Sequence, residues 1–78
     1  MQAEEIKQLL ASAIESESID VKVEGSHVDV VVVSHAFEGL NPVKKQQMVY
    51  AVLDKQIADG SIHAVNMKTY TPAQWAQH

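Results

Sequence analysis

The chain has 78 residues, 46% of them hydrophobic, with a formal net charge of −4 at pH 7 and no cysteine. That is enough apolar material for one small core, and no run approaches the ~18 apolar residues of a membrane-spanning helix. Six lysines and no arginine argue against a general nucleic-acid binder. The missing thiols exclude a disulfide scaffold and any iron–sulfur cluster held by this chain's own cysteines.

The acidic start, Met1-Gln2-Ala3-Glu4-Glu5, runs straight into an amphipathic segment and does not read as a secretory signal, so the cytoplasm is the expected address. Ile6, Leu9, Leu10, Ala13 and Ile14 fall on one helical stripe, predicting a helix from about residue 3 to 16. The strict alternation of Ile19-Asp20-Val21-Lys22-Val23-Glu24 predicts a strand with one wet face. Gly25-Ser26 reads as a turn, and a second, antiparallel strand is expected from His27 to Ser34. Phe37 to Leu40 reads as a short helical turn. Asn41-Pro42 then supplies a capping side chain and a residue without an amide to satisfy. A long helix is predicted from Pro42 to about Ala58, with Val43, Tyr50, Leu53 and Ile57 inward and Gly60 closing it. Ser61 to Tyr70 is read as the third strand, with Val65 and Met67 on the face that carries His63. Thr71-Pro72-Ala73-Gln74 has the form of a capping box opening a last short helix with Trp75.

The order α-β-β-α-α-β-α, without linker or repeat, describes a single domain over 1–78. Its fold class is α/β (α+β), a three-stranded mixed sheet with helices packed on it. Strands joined by a helical crossover run parallel, so strands two and three should begin at one edge of the sheet. His27 opens the second and His63 the third, and the two are expected to be neighbours in space.

Two neutral imidazoles at one edge can share a metal. A pair without metal-motif spacing is a weak signal, and the residues alone favour ordinary surface or strand-end histidines. His35 lies at the far end of strand two and His78 at the terminus, so neither joins the pair. Lys44 and Lys45 stand in the first turn of the long helix, where cations oppose the helix dipole. They are either a solvated face or a phosphate contact. Glu4, Glu5, Glu15 and Glu17 read as the wet side of the first helix and its surroundings. Tyr50 and Trp75 read as core and lid. No nucleophile motif, phosphate loop or dinucleotide fingerprint is present, and the expectation is a non-enzyme.

The segments Val32-Val33-Ser34, Phe37-Glu38-Gly39-Leu40, Val43-Lys44-Lys45-Gln46-Gln47, Ile62-His63-Ala64-Val65 and Thr69-Tyr70-Thr71-Pro72-Ala73-Gln74-Trp75 resemble the BolA family. They match in order over nearly the whole chain, and Gly25-Ser26-His27 is similar to its acid-stress-linked bacterial subgroup. The resemblance implies a sheet like that of the class II KH fold. The GxxG loop of an RNA-clamping KH domain is absent, since Gly25, Gly39 and Gly60 cannot form one. It also implies a monothiol glutaredoxin partner, a bridging [2Fe–2S] cluster and apo iron–sulfur proteins as recipients. In the family the histidine of the Ile-His-Ala motif is an iron ligand, and His63 stands there. A second ligand comes from the region between the first two strands, where only His27 can serve. A glutaredoxin cysteine and glutathione would complete the set. Some members are described instead as DNA-binding regulators acting through the helix–turn–helix, which would here place Lys44 and Lys45 on DNA. An adaptor that docks glutaredoxin without touching metal is the third possibility.

Overall fold

The computed structural model describes residues 2–77; His78 lies outside them. In chain order the elements are α1 (Ala3–Ala13), β1 (Ser18–Glu24), β2 (His27–Val33), a 3₁₀ turn (His35–Phe37), α2 (Pro42–Ala58), β3 (Ala64–Tyr70) and α3 (Pro72–Ala76). The sheet has the order β1-β2-β3, with β1 antiparallel and β3 parallel to β2. This is the mixed three-stranded sheet expected from the sequence.

The hairpin is closed by the two residues Gly25 and Ser26, with Glu24 paired to His27. Gly25 has φ +61, the backbone that a two-residue turn following the sheet's right-handed twist asks of its first central position. Alternation then divides the sheet. Val28, Val30 and Val32 are buried and face the same side as Ile19, Val21 and Val23 of β1 and Val65 and Met67 of β3. Against that side pack Ile6, Leu10 and Ile14, then Phe37, then Val49 and Leu53 of α2, and Ile62. His27, Asp29 and Val31 take the other, open side with Asp20, Lys22, Asn66 and Lys68.

Several boundaries differ from the sequence reading. Helix α1 stops at Ala13, because Ile14 turns extended (φ −126, ψ 116) and the Ser16 hydroxyl donates to its carbonyl at 2.9 Å. Serine favours such local bonds over continuing a helix. Ile14 stays in the core, while Leu9 and Ala13 are exposed. Strand β2 ends at Val33, since buried Ser34 caps the next turn: its hydroxyl accepts the Ala36 N–H at 3.0 Å and donates to the Glu15 carbonyl. That cap starts the 3₁₀ turn at His35, two residues before the expected Phe37. Strand β3 begins at Ala64 and not at Ser61. The preceding residues still bond back toward α2, with Ile62 N–H donating to the Gln56 carbonyl and Ser61 N–H to the Asp59 carboxylate.

Helix α2 spans the predicted residues, with the Asn41 side chain accepting the Lys44 N–H at 2.9 Å. Leu53 is buried as expected, but the inward face is rotated away from the other three residues assigned to it. Lys45, Val49 and Leu53, spaced four apart, are buried. Val43, Tyr50 and Ile57 recur every seven residues and are exposed by 61%, 42% and 37%. Four residues are slightly over one helical turn and seven slightly under two, so both series run along the helix. Sheet packing selects the one nearer Val49. Tyr50 is therefore not core. Helix α3 opens on the expected capping box, Thr71 with Gln74, and Trp75 lies against Tyr70 with ring centroids 5.2 Å apart while remaining 41% exposed.

Candidate functional site

The parallel pairing brings the two suspected histidines to one edge. His27 is the first residue of β2 and pairs with Ala64, so His63 stands one position earlier, beside Ser26. Its N–H donates to the Ser26 carbonyl at 2.9 Å. The expected proximity in the chain trace is present, with one change: His63 precedes β3 instead of opening it.

The surroundings of the two rings differ. His27 alternates to the open side of the sheet, where it lines a shallow hollow of about 300 Å³ with Glu24, Asp29 and Asn66. The His63 ring places Nδ1 3.3 Å from the Ser26 hydroxyl oxygen. Its Nε2 lies toward Gly60, near enough that a side-chain carbon built there would sit 3.7 Å away. Gly60 has φ +83, the left-handed conformation that ends α2 and favours glycine. Nearby, hydrogen bonds from the Ser61 hydroxyl and amide, helped by Lys55, hold the Asp59 carboxyl below its ordinary range. Both histidines are exposed. Among the described residues no group of three His, Cys, Asp or Glu side chains is placed to hold a metal ion.

The two lysines part company. Lys44 is exposed in the first turn of α2. Lys45 is 8% exposed, and its Nζ donates to Gln74 Oε1 at 3.3 Å. The same oxygen accepts the Thr71 N–H, so Lys45 ties α2 to the cap of α3. His35, set aside in the sequence reading, lies just past the far end of β2 from the histidine pair. Its Nδ1 lies 3.2 Å from a Glu38 oxygen and its Nε2 3.3 Å from one of Glu17. The i, i+3 relation to Glu38 was readable in the sequence; the approach of Glu17 depends on the fold.

The model of the BolA-like protein family matches residues 4–74. The chain belongs to the BolA-like family. It is 46% identical over 77 residues to the acid stress protein IbaG of Escherichia coli K12, covering 99% of this chain and 92% of that one. A BolA protein homologue from Coxiella burnetii superposes with a TM-score of 0.82 at 31% identity, over 97% of both chains. A Bol-like protein from Babesia bovis reaches 0.89 at 23% identity, covering 99% of this chain and 92% of that one, and speaks for the fold alone. In this BolA-like chain no helix of the described residues is long and apolar enough to cross a membrane.

Proposed function

We propose that this BolA-like protein is an iron–sulfur accessory protein that offers His63 and His27 to a [2Fe–2S] cluster shared with a monothiol glutaredoxin. Its role would be cluster trafficking or iron and acid-stress signalling, the latter in keeping with the name of its IbaG relative. The observation that carries the reading is the meeting of β2 and β3, which sets two exposed imidazoles at one sheet edge. The donor set fits as an incomplete one. Neutral imidazoles can replace thiolates at one iron of such a cluster, and a chain without cysteine depends on a partner thiolate and glutathione for the rest. When bound, the cluster supplies a transferable, redox-active iron–sulfur unit. This chain's part is to present nitrogen ligands that acid can protonate, which would make release easier at low pH.

The DNA reading has less to stand on. Of its two lysines only Lys44 is free to meet phosphate, because Lys45 is buried against Gln74.

The test is to mix the protein with a glutathione-loaded, cluster-bearing monothiol glutaredoxin and record visible absorption and circular dichroism. Wild type is compared with His63→Ala and His27→Ala. The expected result is a spectral shift that reverts in the histidine variants. An unchanged spectrum despite complex formation would leave an adaptor, and no complex at all would return attention to DNA.

A further inference from the structure

Among the described residues the His63 ring has a hydrogen-bond partner at Nδ1 alone. A neutral imidazole carries a single N–H, and the hydrogen bond made by one nitrogen decides which form the other takes. Unassisted in water, the ring favours the proton on Nε2, the form in which that nitrogen has no free lone pair. Ser26 supplies a different setting. Its hydroxyl oxygen is 3.3 Å from Nδ1 and can act as acceptor or donor, while its carbonyl takes the His63 N–H at 2.9 Å. One residue thus holds both the backbone and the ring of His63. Ser26 is itself fixed, being the second central residue of the turn closed by Glu24 and His27. Gly60 carries no side chain, and a carbon built there would sit 3.7 Å from Nε2.

We propose that Ser26 is the positioning residue of His63: its hydroxyl accepts the Nδ1 proton and thereby presents a bare Nε2, the nitrogen that faces Gly60, to an incoming metal. The proposal rests on the reading of His63 as a ligand and adds to it the residue that prepares the ligand atom. The arrangement is that of an outer partner fixing a metal-binding imidazole, with a hydroxyl in place of the commoner carboxylate or carbonyl.

The test begins with the protein alone. Long-range ¹H–¹⁵N correlation spectra report the tautomer of His63 in wild type, Ser26→Ala and Ser26→Thr. Each variant is then titrated with the cluster-bearing glutaredoxin, followed by visible circular dichroism, with His63→Ala as control. The expected result for Ser26→Ala is a shift of the His63 population toward Nε2–H and affinity weaker by about 10-fold, the low end for such outer partners because Ser26 is only half-buried. Ser26→Thr keeps the hydroxyl and should restore both readouts. A tautomer unchanged in Ser26→Ala, or a changed one with affinity within about twofold of wild type, would overturn the role of Ser26, provided His63→Ala has lost the signal. A His63→Ala spectrum equal to wild type would instead overturn the ligand reading, and the role of Ser26 with it.

Discussion

Removing the hydroxyl of Ser34 should cost this protein more stability than its size suggests. The side chain is fully buried. It caps the 3₁₀ turn by accepting the Ala36 N–H, and it donates to the Glu15 carbonyl in the connection between α1 and β1. Its own N–H donates to the Tyr70 carbonyl at 2.9 Å, at the end of β3; that bond survives the change. Ser34→Ala loses a cap worth about 1 kcal/mol and leaves a carbonyl without its donor, at about 1 kcal/mol more. Higher values apply when the orphaned groups cannot reach water. Glu15 and Ala36 are both exposed, so a total near 2 kcal/mol is the appropriate figure. A domain of this length is stable by about 4–12 kcal/mol, and the loss should lower the melting temperature by roughly 10 °C. Thermal and urea unfolding followed by circular dichroism would measure it, with an unchanged urea slope showing that the unfolded state is unaffected. A loss under about 0.5 kcal/mol would mean that both backbone groups find water at no cost and that Ser34 ties nothing together.

Two further predictions concern α2. Leu53→Ala should destabilise by about 3 kcal/mol through the cavity it leaves, whereas Val43→Ala, at a position 61% exposed, should stay within about 0.5 kcal/mol; equal effects in urea unfolding would refute the rotated inward face. Lys45→Ala should cost roughly 1–2 kcal/mol through its buried stem and its bond to Gln74 and should alter Trp75 fluorescence as α3 loosens. Lys44→Ala should leave both readouts unchanged, and the same fluorescence response from Lys44→Ala would count against the tie between Lys45 and α3.

Much of the fold was legible because local signals and sheet rules agree. The alternation in β1, the Gly25-Ser26 turn, the Asn41-Pro42 start of α2 and the Thr71–Gln74 box each have a direct physical meaning, and the helical crossover made β2 and β3 parallel. From that parallel pairing followed the approach of His27 and His63. What stayed hidden depended on contacts distant in sequence. Lys45 reads as a surface residue by type; its burial is decided by the position of Gln74 on another helix. The choice between the Val43 and Val49 stripes of α2 depended on how the helix lies on the sheet. The end of α1 turned on one serine bonding its neighbour's carbonyl. At the candidate site, the sequence pointed to both imidazoles but could not show that Ser26, and not His27, lies beside His63.

The parallel pairing of β2 and β3 also sets when the histidine edge exists during folding. The β1–β2 hairpin closes over two residues and needs only local chain, so His27 can reach its final backbone setting early. His63 reaches Ser26 only after α2 has formed and the whole crossover has closed, a step slowed by the entropy of a long loop. A nascent or partly unfolded chain can therefore display His27 on a formed hairpin while having no two-histidine edge at all. Assembly of that edge reports that the crossover through α2 has closed.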